Sequence, residues 1–110
     1  MKIPLSLPDG TELLYQEFTN NGSGDRIVAI DDRTYHVRSC QNQDGKQWFY
    51  TMLRVGRHQR TLRGDMPTIL LAVARIHQVY DDYEKRCRRS KEDAQRLRDR
   101  QLNELFETAG

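Results

Sequence analysis

Basic and aromatic residues are concentrated in one stretch of the 110-residue sequence. Between Asp44 and Asp65 no acidic residue occurs, and the basic residues and histidine of this interval are Lys46, Arg54, Arg57, His58, Arg60 and Arg63. Trp48 and Tyr50 lie in the same interval. Guanidinium groups bind phosphate oxygens and the edge of guanine, and flat rings stack on bases. The stretch therefore predicts a surface that binds a polyanion. Nucleic acid is the polyanion that both arginine and aromatic side chains can contact.

The same residues also fit a purely structural role. Arginines on exposed strands keep sheet edges soluble, and Trp48, Tyr50 and Met52 could form core beneath the N-terminal strands. The formal net charge is only +2, with 18 basic and 16 acidic residues, so any positive field is local. The two interpretations differ in whether the rings face solvent.

No set of residues has the spacing of a catalytic or metal centre. His36, His58 and His77 lie on three different predicted elements, and neither HxxxH nor CxxC occurs. His77 lies on the apolar side of a predicted helix and is expected to be a hydrogen-bonded core or boundary histidine. Cys40 and Cys87 follow no ligand or redox spacing, which favours two reduced thiols. We therefore expect no enzymatic activity, no cofactor and no metal site.

Turn signals divide residues 1–65 into short segments typical of strands. They lie at residues 8–10, 20–25, 31–32, 44–45 and 56–57. The Asp-Gly pair at 44–45 predicts a two-residue type I′ hairpin turn. The sequence thus predicts an antiparallel meander of about four to six strands.

One predicted strand, residues 46–55, is apolar on both faces. Its two sets of alternating residues are Trp48, Tyr50 and Met52, and Phe49, Thr51 and Leu53. A strand of this kind is either central and covered on both sides, or it offers one face to a ligand.

From Asp65 onward the pattern indicates a helix. Asp65 fits an N-cap and Pro67 fits the first turn. Apolar and small residues then recur in steps of three and four at Ile69, Val73, Ile76, Tyr80, Tyr83, Cys87, Ser90, Ala94 and Leu97. A single helix over residues 66–107 would be about 60 Å long. A strand of six to eight residues covers only about 20 to 27 Å, so the second half of such a helix could not rest on the domain's own sheet.

Three alternatives account for this mismatch. In the first, Ser90 breaks the helix and acts as a new N-cap, with Asp93 three residues on. In the second, the helix continues and packs on a partner, with a symmetric homodimer as the favoured form; the partner-binding residues would be Tyr83, Leu97, Leu102, Leu105 and Phe106. In the third, the charged run 88–100 forms a solvated, frayed tail.

Residues 45–75 share a pattern of features with one family. An aromatic pair follows Gly-Lys, an Arg precedes a Gly turn, and a basic strand is followed by Ala-x-Ala-Arg. The residues are Trp48, Phe49, Arg54, Gly56, Arg60, Leu62, Ala72, Ala74 and Arg75. This run resembles the AP2-like DNA-binding domain of phage-type integrases, a three-stranded sheet plus a helix.

In that family the sheet lies in the DNA major groove. The resemblance therefore implies DNA contacts from Arg38, Tyr50, Arg54, Arg57 and Arg60. The sequence departs from the family at Arg63, where the family has Gly, and in the length of its helix.

Taken together, the sequence predicts an α+β fold in a single domain, with a sheet region over residues 1–65 and one long C-terminal helix over 66–107. The favoured function is non-enzymatic binding of nucleic acid, DNA before RNA, through a basic β-hairpin. The predicted contact residues are Arg38, Trp48, Tyr50, Arg54, Arg57, His58, Arg60 and Arg63. The alternative is a protein-interaction module, such as a phage or mobile-element inhibitor or adaptor, that acts through its C-terminal helix. No run approaches the roughly 20 apolar residues of a membrane span, and the N-terminus lacks a signal-peptide pattern, so we expect a cytoplasmic protein with no membrane partner.

Overall fold

The computed structural model describes residues 1–19 and 24–109 as an antiparallel sheet followed by two helices. The elements are β1 (Ile3–Ser6), β2 (Glu12–Thr19), β3 (Arg26–Ile30), β4 (Arg33–Gln41), β5 (Gln47–Val55), β6 (His58–Gly64), α1 (Met66–Cys87) and α2 (Lys91–Ala109). The strands follow one another in the sheet in chain order, so the sheet is a meander. The predicted α+β class is confirmed. Residues 20–23 of the loop predicted at 20–25 lie outside the described part of the chain.

Strand β4 joins two halves of the sheet. Residues 33–37 pair with β3, and residues 38–41 pair with β5. The second half is therefore a three-stranded sheet made of the end of β4, β5 and β6. Its last two strands are joined by the tight turn Gly56-Arg57, in which Gly56 has a φ of 63°. A type II′ turn needs a positive φ at its first central position, and Gly adopts this conformation readily.

The loop between β4 and β5 is longer than the predicted two-residue turn. It spans residues 42–46, and the Asn42 side chain accepts hydrogen bonds from the backbone N–H groups of Asp44 at 3.0 Å and Lys46 at 2.9 Å. Gly45 has a φ of 80°, whereas Asp44 is not among the residues with positive φ. A type I′ turn needs positive φ at both central positions. The predicted turn type was therefore wrong, because the Asn42 side chain organises a wider loop.

The hydrophobic core lies between one face of the sheet and the helices. Helix α1 begins as predicted, with the Thr68 backbone N–H donating to Asp65 Oδ1 at 2.9 Å. Ile69, Val73 and Ile76 are buried as the helical stripe predicts. The strand residues that pack in the same cluster are Tyr15, Val28, Ile30, Val37, Phe49, Val55 and Leu62.

Two helices stand where the sequence predicted one long helix. Helix α1 ends at Cys87 and α2 begins at Lys91, and the Asp93 backbone N–H donates to Ser90 Oγ at 3.5 Å. This is the alternative in which Ser90 breaks the helix. Helix α2 packs on α1 and on β6 and β5, and the longest dimension of the molecule is 48 Å. The break resolves the length mismatch because α2 turns back onto the domain.

Because α2 packs back onto the domain, the predicted partner-binding residues have a different role. Three of them belong to the domain's own core, with exposed fractions of 0% for Leu102, 8% for Leu105 and 7% for Phe106. Tyr83 and Leu97 are half-buried, and an arginine of α2 lies over the Tyr83 ring. Leu102, Leu105 and Phe106 are thus not accessible to a partner on the folded domain, whereas Tyr83 and Leu97 are partly accessible.

Candidate nucleic-acid interface

In the part of the chain that the structure describes, helices α1 and α2 pack against one face of the sheet and leave the other uncovered. Residues directly opposite on neighbouring antiparallel strands share a face, and successive residues along a strand alternate between faces. The inner face carries the buried Phe49, Thr51, Val55 and Leu62. The opposite, outer face of the second half of the sheet carries the side chains that we term the arginine–aromatic face: Arg38, Trp48, Tyr50, Arg54 and Arg63.

Arg38, Tyr50 and Arg63 form a row across three strands. Arg38 pairs with Tyr50 between β4 and β5, and Tyr50 pairs with Arg63 between β5 and β6. Paired residues have Cβ atoms about 4.5 to 5.5 Å apart. Both arginines are exposed, and the Tyr50 ring between them is half-buried. A ligand on this ring therefore has a cation on either side.

Trp48 extends the face along β5. The Trp48 and Tyr50 ring centroids are 5.6 Å apart, and the ring planes are inclined by 44°. The guanidinium carbon of Arg63 lies 5.6 Å from the Trp48 ring centroid. Like Tyr50, Trp48 is half-buried, so the sheet supports each ring while part of it meets solvent. The rings were predicted either to face a ligand or to be covered by strands, and here they lie on the uncovered face.

Two further arginines lie at the β5–β6 end of the molecule. Arg54 pairs with Gln59 on the outer face, and Arg57 occupies the turn. Together, Arg54, Arg57 and Gln59 line a concavity of about 370 Å³. Arginine donates two parallel hydrogen bonds to a phosphate, so two exposed arginines around one concavity suit a phosphate group.

Within residues 1–19 and 24–109, no carboxylate lies within ion-pair distance of Arg54, Arg57 or Arg63. Asp25 interacts electrostatically with Arg38, and its Oδ1 accepts a hydrogen bond from the Ser39 backbone N–H at 2.9 Å. That bond is the main cause that lowers the pKa of Asp25, and the neighbouring His36 and Arg38 lower it further. The exposed positive charge of the face is therefore largely available to a ligand.

Two residues of the predicted nucleic-acid set lie on the other face. His58 pairs with Val55, and Arg60 pairs with Leu53, so both belong to the inner, helix-covered side. Arg60 Nη2 lies 3.9 Å from the carboxylate of Glu107 in α2. His58 and Arg60 are therefore removed from the candidate surface, because the alternation along β6 directs them away from Arg63.

The outer face also carries exposed apolar side chains, and those of β2 were not predicted from the sequence. Leu14 is 51%, Phe18 48% and Met52 43% exposed. Met52 follows Tyr50 on the same side of β5, and Phe18 pairs with Ile27 on β3. The alternation that places Leu14 and Phe18 on one face was present in the sequence. The opposite face of β2 is equally apolar, however, so the pattern did not reveal which face is covered.

A second polar cluster lies on the helix side of the sheet. His77 is 4% exposed, with Nδ1 2.8 Å from the Tyr35 hydroxyl and Nε2 2.8 Å from Asp31 Oδ2. Burial raises the pKa of Tyr35, so its hydroxyl stays protonated at neutral pH and can donate to Nδ1. Both ring nitrogens thus have partners, and the prediction of a hydrogen-bonded core histidine is confirmed. The cluster ties α1 to the β3–β4 turn.

In the described part of the chain, no group of three or more His, Cys, Asp or Glu side chains is arranged to hold a metal ion. None of the described helices has the length and apolar character needed to cross a membrane. Comparison with protein-family models, with curated proteins and with solved structures gives no significant match for this chain.

Proposed function

We propose that this chain is a small, non-enzymatic nucleic-acid-binding protein, with DNA as the favoured ligand, and that its binding surface is the arginine–aromatic face. The observation that carries the proposal is the row Arg38–Tyr50–Arg63 on an uncovered sheet face, with Trp48 beside it. Guanidinium groups contact phosphates and base edges, and aromatic rings contact bases. The face places both kinds of group within one small area.

Charge supports the same conclusion. Arg54, Arg57 and Arg63 are exposed and have no carboxylate partner among the described residues. Cations that neutralise phosphates release counterions from the nucleic acid, and this release supplies much of the binding free energy. A molecule with a formal net charge of +2 can therefore bind a polyanion if its unpaired cations share one face.

The order of elements is also in line with the resemblance noted in the sequence. The end of β4, β5 and β6 form a three-stranded sheet that α1 follows, which is the order of an AP2-like domain. This order supports a DNA-binding role, while the assignment to that family stays a prediction.

The proposal is tested by measuring the binding of labelled duplex and single-stranded DNA at two salt concentrations. We expect affinity at low salt that falls steeply as salt increases. Arg54→Ala and Arg57→Ala should each weaken binding and reduce the slope of log K against log salt by about 0.7 to 0.9, which is one phosphate contact.

The matched control is Arg75→Ala. Arg75 is exposed on α1, which packs on the other face of the sheet, so its loss removes the same charge without touching the arginine–aromatic face. The control should bind nearly as well as the unmodified protein. Absence of binding to both forms of DNA at low salt would refute the proposed function.

A further inference from the structure

The arginine–aromatic face offers ring surface and apolar atoms as well as charge. Trp48 and Tyr50 are half-buried, so part of each ring meets solvent, and Met52, which follows them on β5, is 43% exposed. In a duplex the faces of the bases are covered by their neighbours, so a protein meets only base edges, sugars and phosphates. In a single strand the base faces are open, and aromatic side chains stack on them. We infer that the ligand is a single-stranded nucleic acid whose unpaired bases stack on Trp48 and Tyr50, an inference that rests on the proposed function.

The positions of the cations fit such a ligand. Tyr50 has Arg38 on one neighbouring strand and Arg63 on the other, so a base stacked on its ring lies between two groups that can hold the flanking phosphates. The guanidinium of Arg63 also lies over Trp48. A planar guanidinium itself stacks on flat groups. Each ring therefore has a cation beside it, which suits a strand that carries one phosphate for each base.

The extent of the outer face also favours a single strand over a duplex. The major groove is about 12 Å wide and admits a helix or a two-stranded ribbon. Here the uncovered face continues past β4, where it carries the polar side chains of His36 and Arg38, to β3 and β2. There Ile27 pairs with Phe18, which is 48% exposed. A flexible strand can follow this surface. This mode differs from the major-groove contact implied by the AP2-like resemblance.

The chain contains a single tryptophan and five tyrosines, so fluorescence excited in the tryptophan-selective range reports on Trp48 alone. The probes are a thymidine oligomer of about 12 nucleotides, within the usual site size of such surfaces, an abasic oligomer with the same number of phosphates, and a duplex of the same length. At low salt we expect the thymidine oligomer to bind and to quench Trp48. The abasic oligomer should bind at least about fivefold more weakly and leave the emission almost unchanged, because it lacks the bases that stack.

Variants of Tyr50 separate stacking from general damage to the fold. Tyr50→Ala should weaken binding of the thymidine oligomer at least about fivefold and leave binding of the abasic oligomer unchanged. Tyr50→Phe keeps the ring and should bind both as the unmodified protein does. If Tyr50→Ala instead loses the fold, binding of both oligomers should weaken. Unchanged binding of the abasic oligomer therefore shows that the variant is folded. The quenching of Trp48 in the unmodified protein remains decisive even if Tyr50→Ala does not fold.

The relative affinities of the probes and the quenching of Trp48 distinguish the inference from the proposed function. If the duplex binds as tightly as the thymidine oligomer and Trp48 is not quenched, the inference is overturned and the proposed function stands. If the abasic and thymidine oligomers bind equally, stacking is likewise excluded. Tighter binding of a uridine RNA oligomer, with quenching, supports the same stacking surface and makes RNA its ligand. If none of the four probes binds at low salt, the proposed function itself fails.

Discussion

The guanidinium of Arg63 lies over the ring of Trp48, with 5.6 Å between the guanidinium carbon and the ring centroid. The two residues belong to neighbouring strands, so the contact joins β6 to β5 on the uncovered face. A cation over an exposed aromatic ring stabilises by about 0.5 to 1 kcal/mol. The contact therefore holds a ring and a cation of the candidate site in a defined relation before any ligand binds.

Replacing Arg63 should affect both the ring and the ligand. Arg63→Ala should move the Trp48 emission maximum to longer wavelength, since the ring becomes more hydrated, and should weaken nucleic-acid binding. Arg63→Lys keeps the charge but loses the planar group, so it should preserve the salt dependence while recovering only part of the affinity. Fluorescence spectra and binding titrations check both effects. Unchanged emission and affinity in Arg63→Ala would contradict the assigned contact.

Replacing Leu102 tests whether this residue belongs to the domain's core or to a surface that binds a partner. Because Leu102 is 0% exposed and packs in the main cluster, Leu102→Ala should lower the free energy of unfolding by about 2 to 5 kcal/mol. Leu97→Ala should cost less, since Leu97 is only half-buried. Urea denaturation measures both. A Leu102→Ala variant of undiminished stability but altered mass in sedimentation would instead favour the protein-interaction alternative.

Asp31 combines an unusual backbone with a specific hydrogen bond. Its φ is 55°, and its Oδ2 lies 2.8 Å from His77 Nε2. The left-handed conformation costs most residues about 1 to 2 kcal/mol, whereas Asn adopts it readily. Asp31→Asn, which also keeps an acceptor oxygen, should therefore be more stable than Asp31→Ala. Asp31→Gly restores the backbone freedom without the hydrogen bond and should lie between them. Equal stability of all three in thermal denaturation would contradict this account.

The cap of α1 makes a pH-dependent contribution to stability. Hydrogen bonds from the Thr68 side chain and from its backbone N–H lower the pKa of Asp65 in the folded state. A carboxyl whose folded pKa is lowered stabilises the fold above its unfolded pKa of about 3.9, and this contribution is lost as pH falls through the folded pKa.

The stability difference between the unmodified protein and Asp65→Ala should therefore be larger at neutral pH than at about pH 3. Urea midpoints at the two pH values measure it. Asp65→Asn is the control, since Asn also caps helices but carries no charge. A difference that does not change with pH would show that the charge of Asp65 plays no part.

Much of the fold could be predicted because local chemistry determines it. The turn residues delimited the strands, and the stripe through Ile69, Val73 and Ile76 together with the cap at Asp65 identified α1. The break at Ser90 remained one of three alternatives. Whether Ser90 caps a new helix or lies inside a longer one depends on tertiary packing. Here the burial of Leu102 and its neighbours against α1 and the sheet favours the break.

The candidate site was only partly predictable. The pattern of β5 showed that Trp48 and Tyr50 share one side and Phe49 the other, but both sides are apolar, and only the position of the helices decides which is covered. On β6, the basic residues Arg60 and Arg63 are close in sequence but face opposite sides. Their separation follows from the alternation along β6 and could be predicted from the sequence. Which of the two lies on the uncovered face depends on the strand register, which the turn at Gly56 sets.

We propose that nucleic acid binds the arginine–aromatic face. The most direct test is a ¹H–¹⁵N spectrum of the labelled protein titrated with the thymidine oligomer at low salt, in which the single tryptophan gives one indole Nε1–H signal. If nucleic acid binds this face, the indole signal should move together with the side-chain Nε–H signals of Arg54 and Arg63, while the signal of Arg75 on α1 should not. Shifts confined to α1 and α2, or no shifts at all, would contradict it.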